Sequence, residues 1–452
     1  MISEQIFRAY DIRGIYGVDL DEEAANQIGR SLATYINGEG KELIVGRDVR
    51  LSSQSMKDSL IDGLLCGGCD VEDIGIVTTP LLYFAAVHYK KDAGVMITAS
   101  HNPPEWNGLK IWNKDHFICK GMGMEELKEI AIHKQFKHAT RGKLRVNPQA
   151  LSDYENFLLK RVDIKRRMTV ALDPGNGSCS FMIPQLFQSA GIDVIAINAD
   201  PDGTFPAHLP EPTEETLRDL QEIVVKNKAD FGVGFDGDGD RVVFIDDKGR
   251  IVPGELALIL LVEHYLSMQK GAPIVYEVSC SMSVEETIRA FGGKPILSRV
   301  GHTYIVDLIL REGAVLGGES SGHFYFSDLY GFDDAIYASL KMAEILSEKG
   351  KLSEIADSIP KYPRININYD CPDEKKFKVV ESLTEEFKEE GYEVITMDGV
   401  KVIKLEGWFL IRPSNTQPQI RLTVEAKTEE SLKQLTQFVE KRTLEKIQSL
   451  KT

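Results

Sequence analysis

The sequence has no apolar segment long enough to cross a membrane. Its longest apolar runs, such as residues 256–262, are far shorter than the roughly 20 residues that a membrane helix needs. The first residues also lack a basic stretch followed by an apolar core, so we expect no secretory signal. Positive charge is in deficit, because 53 Lys and Arg residues face 69 Asp and Glu residues and the net charge is −16. This balance argues against non-specific binding to nucleic acid or to an anionic membrane.

Cysteine is scarce and scattered, with six residues in 452. Cys66 and Cys69 form a CxxC pair, but no second pair and no nearby histidine completes a zinc site. The pair falls near the end of a predicted helix, so we interpret both residues as buried structural thiols. This cysteine usage predicts a protein of the reducing cytoplasm.

The length and a loose internal repeat predict four domains. A chain of 452 residues is too long for one hydrophobic core. Units that read as strand, polar loop, helix, glycine and strand begin near Leu43, Thr169 and Pro273, and this alternation is typical of parallel or mixed sheets between helices. We predict three similar α/β domains and a smaller carboxyl-terminal α+β domain around one central cleft. The predicted bounds are 1–147, 148–252, 253–362 and 363–452.

The loop at residues 98–104, with the sequence TASHNPP, holds the first candidate chemical groups. It follows an apolar segment, residues 94–97, that we predict to be a buried strand. Ligands bind beyond the carboxyl ends of strands in open α/β sheets, so this loop can present Ser100 with His101 beside it. A Ser-His pair alone is equally compatible with an ordinary turn.

A second loop, at residues 236–241, has the sequence DGDGDR. Its glycines allow the backbone to curl and bring Asp236, Asp238 and Asp240 close together. Carboxylate oxygens of this kind favour Mg²⁺ over softer transition metals. A calcium-binding hand is excluded, because its sixth position needs glycine and this chain has Arg241 there. A solvated acidic turn is the alternative interpretation.

Further loops carry groups that suit a phosphosugar. Residues 317–323 (GGESSGH) place Glu319 where its carboxylate can accept from two adjacent hydroxyls, although a plain glycine turn fits as well. Residues 412–416 (RPSNT) offer a guanidinium, hydroxyls and backbone N–H groups for a phosphate dianion. Residues 7–14 carry two arginines, for which pairing with local acids is the alternative, and a lone histidine such as His302 is more often structural. Together the loops predict metal-assisted phosphoryl transfer with a serine as phosphate carrier.

The order of these motifs resembles the α-D-phosphohexomutase superfamily, and most closely its bacterial phosphomannomutase/phosphoglucomutase branch. The matching segments run from YDIRG at residue 10 through TASHNPP, DGDGDR and GESSGH to RPSNTQP at residue 412. The resemblance therefore covers essentially the whole chain. It implies a heart-shaped enzyme with three related α/β domains and a smaller carboxyl-terminal α+β domain.

The resemblance also implies roles for individual residues. Ser100 would be the phosphoserine and Lys110 a general acid or base, while Glu319 and Ser321 would bind sugar hydroxyls. The implied catalytic residues are Ser100, His101, Lys110, Arg13 and His302. The implied metal ligands are Ser100, Asp236, Asp238 and Asp240. The implied substrate-binding residues are Tyr10, Arg241, Gly301, Glu319, Ser321, His323, Arg412, Ser414, Asn415 and Thr416.

The implied activity is the reversible interconversion of hexose 1-phosphate and hexose 6-phosphate, with mannose or glucose as the sugar. One Mg²⁺ per chain and a hexose 1,6-bisphosphate would take part, the latter as activator and bound intermediate. Small phosphosugars are the expected partners, without nucleic acid or membrane, and we expect a monomer or a weak homo-oligomer. Phosphoglucosamine mutase is a rival with the same chemistry. A sugar-phosphate phosphatase and a non-enzymatic sugar-phosphate-binding protein are rivals of other classes.

Two positions depart from the pattern of relatives. Where relatives often have a lysine in the first loop of the third domain, this chain has Ser279, so one positive contact is missing or replaced. In the last loop, many relatives have glycine and glutamate where this chain has Asn415 and Gln417. The asparagine form supports the phosphomannomutase/phosphoglucomutase branch.

Overall fold

The computed structural model describes residues 2–8, 10–113, 123–414 and 418–449. These residues form four sheets, and each sheet is built from one region of the chain. The predicted alternation of strands and helices in the first three regions, and the change of pattern in the fourth, are confirmed. Among the described helices, none is both long and apolar enough to cross a membrane.

The first sheet has six strands. They are β1 (Ile12–Ile15), β2 (Glu42–Arg47), β3 (Asp70–Ile76), β4 (Ala93–Ile97), β5 (Trp106–Asn113) and β6 (Leu144–Val146). Its helices are α1 (Glu22–Tyr35), α2 (Ser53–Cys66), α3 (Thr79–His88), α4 (Gly123–Ile132) and α5 (Ala150–Leu159). The strand order is β1-β5-β4-β2-β3-β6; β4, β2, β3 and β6 are parallel, and β5 is antiparallel to both β1 and β4.

Residues of β4 alternate between two hydrophobic clusters. Val95 and Ile97 share a cluster with apolar residues of α1, α2 and α4, whereas Met96 shares one with Leu81 of α3. Helices therefore cover both faces of this mixed sheet, as the uninterrupted apolar character of β4 requires.

The second sheet follows a similar plan with five strands. They are β7 (Thr169–Asp173), β8 (Asp193–Ala196), β9 (Phe231–Phe235), β10 (Val242–Ile245) and β11 (Ile251–Val252). Its helices are α6 (Ile183–Ser189) and α7 (Arg218–Asn227). The order is β11-β10-β9-β7-β8, in which β9, β7 and β8 are parallel.

The third sheet has four strands. They are β12 (Pro273–Glu277), β13 (Lys294–Ser298), β14 (Leu316–Gly318) and β15 (Phe324–Phe326). Its helices are α8 (Gly254–Met268), α9 (Met282–Ala290), α10 (His302–Glu312), α11 (Ala335–Lys349) and α12 (Leu352–Ser358). The order is β13-β12-β14-β15, and only β15 is antiparallel to its neighbour. One hydrophobic cluster joins the three units, because it contains Leu81, Val170 and Leu258.

The fourth sheet is wholly antiparallel. Its strands are β16 (Arg364–Asp370), β17 (Val394–Ile395), β18 (Val400–Lys404), β19 (Gly407–Pro413) and β20 (Gln419–Ala426). Its helices are α13 (Asp373–Glu389) and α14 (Glu429–Ser449), which pack on one face through Phe387 and Val439. On the other face Trp408 and Leu410 pack against Val278 of the third unit. The α+β region is thereby attached to the side of the third sheet.

Candidate active site

Residues 98–104, after β4, form the serine loop, and residues 236–241, after β9, form the acidic loop. The carboxyl ends of β4 and β9 bring these two loops together. Ser100 follows β4 closely, and Asp236 comes directly after β9. The Ser100 hydroxyl donates to the Asp236 Oδ2 atom at 2.9 Å, and both side chains are buried. Two loops that lie far apart in the sequence therefore form one site.

Ser100 has an unusual backbone conformation. Its φ angle is +52°, in the left-handed region that residues with a Cβ rarely adopt. The Ser100 amide donates to the Thr98 hydroxyl at 2.9 Å, and the Ser100 carbonyl oxygen accepts from Arg50 Nη2 at 2.9 Å. Sequence reasoning missed Arg50, although its position just beyond the first strand of the repeat was a usable signal.

The acidic loop gathers its three carboxylates as predicted. Asp236, Asp238 and Asp240 each offer an oxygen, and these oxygens lie within 4.8 Å of one another. Gly239 adopts a φ angle of +77°, which lets the loop curl so that its amide donates to Asp236 Oδ1 at 2.9 Å. A residue with a Cβ would be strained at this position.

Two cationic side chains lie against these carboxylates. Lys110 donates to Asp238 at 2.7 Å and also contacts Asp240. Arg241 donates through Nε to Asp236 Oδ2 at 3.3 Å. Burial opposes the charge on Lys110, but Asp238 and Asp240 raise its pKa well above the usual value. Lys110 and Arg241 thus place positive charge directly against the three carboxylates.

The donor set fits a hard divalent cation. The Oδ1 atom of Asp238 is buried and accepts no hydrogen bond from the part of the chain that the structure describes, whereas that of Asp240 lies 3.5 Å from His323 Nε2. Burial, together with repulsion from Asp240 and Asp238, raises the pKa of Asp236 to about 8. A buried acceptor without a partner costs free energy, and a cation held by the three carboxylates would supply that partner.

The loop after β14 places Glu319 near the acidic loop, with His323 between Glu319 and Asp240. One oxygen of the Glu319 carboxylate accepts from the Gly301 amide at 2.8 Å, and the other accepts from the Tyr325 hydroxyl at 3.0 Å. The Ser321 hydroxyl lies 3.0 Å from His323 Nδ1. Glu319, Ser321 and Gly301, which the resemblance assigns to substrate binding, are thus close to one another.

Residues 319–323, after β14, are called the sugar loop because the resemblance assigns Glu319 and Ser321 to sugar binding. His323 connects this loop to the acidic loop. Its Nδ1 atom lies 3.2 Å from Glu319, and its Nε2 atom lies 3.5 Å from Asp240 and 3.8 Å from Asp333. Burial would lower the pKa of His323, but the three surrounding carboxylates, of which Asp240 acts most strongly, raise it to about 9. Sequence reasoning missed Asp333, because it lies outside the motifs and only the fold brings it to His323.

Tyr10 and His302 lie beside the sugar loop. Gly301 has a φ angle of +123°, and a Cβ there would lie 3.1 Å from the Tyr10 ring. The rings of Tyr10 and His302 meet edge-on with their centroids 6.2 Å apart. Burial, assisted by Lys110 and His323, lowers the pKa of His302 to about 4. The imidazole of His302 is therefore neutral near pH 7.

Arg13 and His101 flank the serine. Arg13 donates to the Asn102 side chain at 2.6 Å and to Asp11 at 2.7 Å. The Nδ1 atom of His101 lies 3.3 Å from the Ser100 hydroxyl. Burial and the nearby arginines Arg241 and Arg13 lower the pKa of His101 to about 2. A neutral imidazole and a guanidinium thus lie on the serine loop.

The loop of the fourth region is described in part. Arg412 lies near the end of β19, and its Nη1 atom is 3.2 Å from Asp398 Oδ2. Ser414 is buried, and its amide donates to the Gln419 carbonyl oxygen at 2.9 Å. Asn415 and Thr416 lie outside the described residues.

Ser279, the departure noted in the sequence, has a definite environment. Its hydroxyl donates to Glu277 Oε1 at 2.5 Å, and the Ser320 hydroxyl donates to the same oxygen at 2.9 Å. Glu277 is buried at the end of β12. At this position a carboxylate and two hydroxyls link the first loop of the third unit to the sugar loop.

Models of one protein family match four segments of the chain. Their descriptions are phosphoglucomutase/phosphomannomutase alpha/beta/alpha domains I, II and III and C-terminal domain. The matched residues are 4–140, 152–249, 253–362 and 367–442 respectively.

Individual relatives extend over nearly the whole chain. A "Probable phosphoglucosamine mutase" of Methanothermobacter thermautotrophicus is 38% identical over 94% of this chain and 95% of its own. A phosphoglucomutase/phosphomannomutase of Thermococcus kodakarensis is 36% identical over 95% of this chain and 96% of its own. The crystal structure of a phosphoglucomutase/phosphomannomutase family protein from Burkholderia thailandensis has a TM-score of 0.91 and 31% identity, covering 99% of this chain and 98% of that one.

Proposed function

The chain belongs to the phosphoglucomutase/phosphomannomutase family, and from this premise we propose that Ser100 carries the phosphoryl group of a hexose-phosphate mutase. The enzyme interconverts hexose 1-phosphates and hexose 6-phosphates. The observation that supports Ser100 as the carrier is its 2.9 Å bond to Asp236 inside a buried cluster of three carboxylates. A serine that served only packing would not need such a cluster.

Asp236, Asp238 and Asp240 are the residues that we expect to hold one Mg²⁺. The support is the approach of the three carboxylates to within 4.8 Å of one another and the buried Asp238 Oδ1 atom, which accepts no hydrogen bond from the described residues. When bound, Mg²⁺ would offset negative charge on the phosphoryl group. Lys110 and Arg241 add fixed positive charge from the chain itself.

Each half of the reaction exchanges one phosphorus–oxygen bond for another. In the first half, the bond from phosphorus to the Ser100 oxygen breaks and a bond from phosphorus to a sugar hydroxyl oxygen forms. The hydroxyl loses a proton and Ser100 regains one. Lys110 and His302, whose motif positions imply catalytic roles, are the candidates for these two proton transfers. The second half runs in reverse at the other end of the sugar, after the bisphosphate has turned.

Most of the catalysis then comes from positioning and charge. The phosphoryl transition state is loose, so the protein has little covalent work to do. Arg13 and Arg241 near Ser100 favour an anionic ligand, while Glu319 and His323 offer an acceptor and a donor to sugar hydroxyls. The burial of Ser100 and of the three aspartates also limits the access of water to the phosphoserine.

The identity of the sugar is the finer part of the proposal. Mannose and glucose are our first choice because of the asparagine form of the last loop, at Asn415. The second choice is 2-amino-glucose, because five relatives are named as probable phosphoglucosamine mutases. A coupled assay on mannose 1-phosphate, glucose 1-phosphate and glucosamine 1-phosphate, with catalytic hexose 1,6-bisphosphate, ranks them by kcat/KM. A higher value for glucosamine 1-phosphate than for the other two would reject the first choice.

Arg412→Ala is expected to weaken the hold on the phosphate that is not being transferred. Arg412 and Ser414, with Asn415 and Thr416 of the same motif, form a compact set of phosphate-compatible donors far in sequence from Ser100. Losing a charge-assisted bond of about 1.5–3 kcal/mol should lower kcat/KM about 10- to 100-fold. The bisphosphate should also escape more often per turnover, which isotope trapping with labelled substrate measures.

Arg442→Ala is the matched control for that variant. Arg442 lies in the same region, pairs with Glu390 at 2.6 Å, and has a side-chain exposure of 28% against 24% for Arg412. It should leave kcat/KM and escape unchanged. If Arg412→Ala behaves like Arg442→Ala, the fourth region is not the distal-phosphate site, and the loop around Arg13 becomes the next candidate.

Three further expectations accompany this function, on the domain bounds, the cellular location and the association state. The domain bounds near 147, 252 and 363 stay predictions, as do a cytoplasmic location and a monomeric or weakly associating state. Phosphosugars are the partners that the family membership supports.

A further inference from the structure

Arg50 places a whole guanidinium inside the serine loop. Its Nη2 atom donates to the carbonyl oxygens of Ser100 at 2.9 Å and Asn102 at 2.6 Å. Its Nη1 atom donates to the carbonyl oxygens of Pro103 at 2.6 Å and Trp106 at 3.1 Å. The Arg50 side chain is 0% exposed. Four carbonyl groups of residues 100–106 therefore surround the planar guanidinium group of Arg50.

The buried carboxylate of Asp48 fixes the orientation of the Arg50 guanidinium group. Asp48 accepts from Arg50 Nε at 3.0 Å and from the Arg50 amide at 2.9 Å. The Ser53 hydroxyl at the start of α2 donates to the same carboxylate. A buried charge is costly unless it is paired and fully hydrogen-bonded, and Arg50 meets this condition only while the serine loop keeps its shape. The left-handed conformation of Ser100 and the position of Arg50 thus depend on each other.

The same guanidinium also touches the second unit. The Phe205 ring lies with its centroid 5.1 Å from Arg50 Cζ. Gly203 approaches so closely that a Cβ there would lie 2.3 Å from the Val49 carbonyl oxygen and 2.8 Å from Arg50 Cα. The segment that carries Gly203 and Phe205 therefore packs directly on the loop between β2 and α2 that carries Arg50.

This segment leads on to the acidic loop. The Gly237 amide donates to the Pro210 carbonyl oxygen at 3.1 Å. A Cβ on Gly237 would lie 2.6 Å from the Ser100 carbonyl oxygen, which is the oxygen that accepts from Arg50. Arg50 is thus in contact with the serine loop and with the segment that supports the acidic loop.

We propose that Arg50 is the positioning residue that holds Ser100 in register with the acidic loop across the boundary between the first two units. The proposal rests on the proposed function, because register between the two loops matters only if phosphoryl transfer takes place there. Arg50 does not touch the reacting oxygen, so its effect is on the rate of transfer and not on the binding of the sugar. An ammonium group cannot replace it, because one nitrogen cannot reach four carbonyl groups.

Arg50→Lys separates this role from a general contribution to stability. A small misplacement of reacting groups costs about 10²-fold in rate, so kcat should fall by about that factor while KM changes less than about twofold. Phosphorylation by hexose 1,6-bisphosphate, followed by intact mass in a single turnover, should slow by the same factor. Both rates are expressed per folded molecule, with the folded fraction taken from thermal unfolding. Arg47→Lys, which changes an arginine that bonds to Gln54 and the Asp48 carbonyl oxygen, should leave both rates unchanged.

Phe205→Leu provides a second variant in case Arg50→Lys does not fold. It removes the ring from the guanidinium and leaves the carbonyl contacts, so the phosphorylation rate should fall about threefold. Wild-type rates per folded molecule in Arg50→Lys, or in Phe205→Leu if that alone folds, would overturn the proposal, as would equal losses in Arg50→Lys and Arg47→Lys. If the unaltered enzyme itself takes no phosphate on Ser100, the proposed function fails instead, and the two failures are distinguishable.

Discussion

Ser100→Ala is expected to lose at least ~10³-fold in mutase turnover, because it removes the atom that carries the phosphoryl group between the two half-reactions. Charge stabilisation by the remaining groups cannot compensate, because it supplies no oxygen in place of the Ser100 hydroxyl, which donates to Asp236. The intact mass of the unaltered protein after incubation with hexose 1,6-bisphosphate should show one phosphoryl adduct. The Ser100→Ala protein should show none.

Ser31→Ala is a suitable control for this experiment. Ser31 is another buried serine of the first unit, and its hydroxyl donates to a carbonyl oxygen within α1. It should keep both the adduct and the turnover. Full turnover by Ser100→Ala would reject the covalent carrier and would leave direct transfer between two sugars as the remaining explanation.

Asp238→Asn is expected to cost about 10²-fold in kcat and to weaken activation by Mg²⁺. The substitution removes the negative charge of Asp238 from the acidic loop and replaces one of its oxygens with an amide nitrogen. It also disturbs Lys110 and Thr79, which both donate to Asp238 Oδ2. Titration of the apo-protein with Mg²⁺, followed by thermal stability as well as activity, separates weaker binding from slower transfer.

Asp246→Asn is the matched control. Asp246 is equally buried and belongs to the same sheet region, but it follows the far end of β10 and pairs with Arg250 at 2.7 Å. It should leave the Mg²⁺ dependence unchanged. If the unaltered enzyme keeps its activity in excess chelator, the acidic loop is not a metal site and its carboxylates act through Lys110 and Arg241 alone.

The strands and loops that form the site could be predicted because they depend on local sequence patterns. An apolar segment followed by small polar residues predicts a buried strand and a loop at its end, and both β4 and β9 follow this rule. The repeat then predicts that such ends meet on one side of mixed sheets. The proximity of Ser100 to Asp236 follows from that topology, although the 2.9 Å bond could not be read from spacing.

The supporting residues could not be predicted because their roles arise from tertiary contacts. Asp333 matters only because the antiparallel β15 and the following turn return it to His323. Arg50 matters because the serine loop folds around it. The left-handed φ of Ser100 also carries no sequence signal, since the residue is not glycine. Charged and hydroxyl side chains such as those of Asp333, Arg50 and Ser100 also occur in many exposed loops. Residue type alone therefore does not reveal their roles.

The departure at Ser279 illustrates a different limit. From the sequence alone it indicated a missing positive charge in the third unit. In the structure its hydroxyl bonds to the buried Glu277, which also holds Ser320 of the sugar loop. Ser279 and Ser320 of the sugar loop are therefore connected through the Glu277 carboxylate. The spacing of residues in the sequence could not indicate this connection.

The most direct test of the central claim follows the fate of one labelled phosphoryl group. The enzyme is phosphorylated with labelled hexose 1,6-bisphosphate, freed of excess ligand, and chased with unlabelled hexose 1-phosphate while the Ser100 peptide and the products are counted. We predict one label per chain on that peptide, and its transfer to sugar as bisphosphate and hexose 6-phosphate much faster than to water. Label that leaves only as inorganic phosphate would identify a phosphatase, and label on any other peptide would contradict the assignment of Ser100.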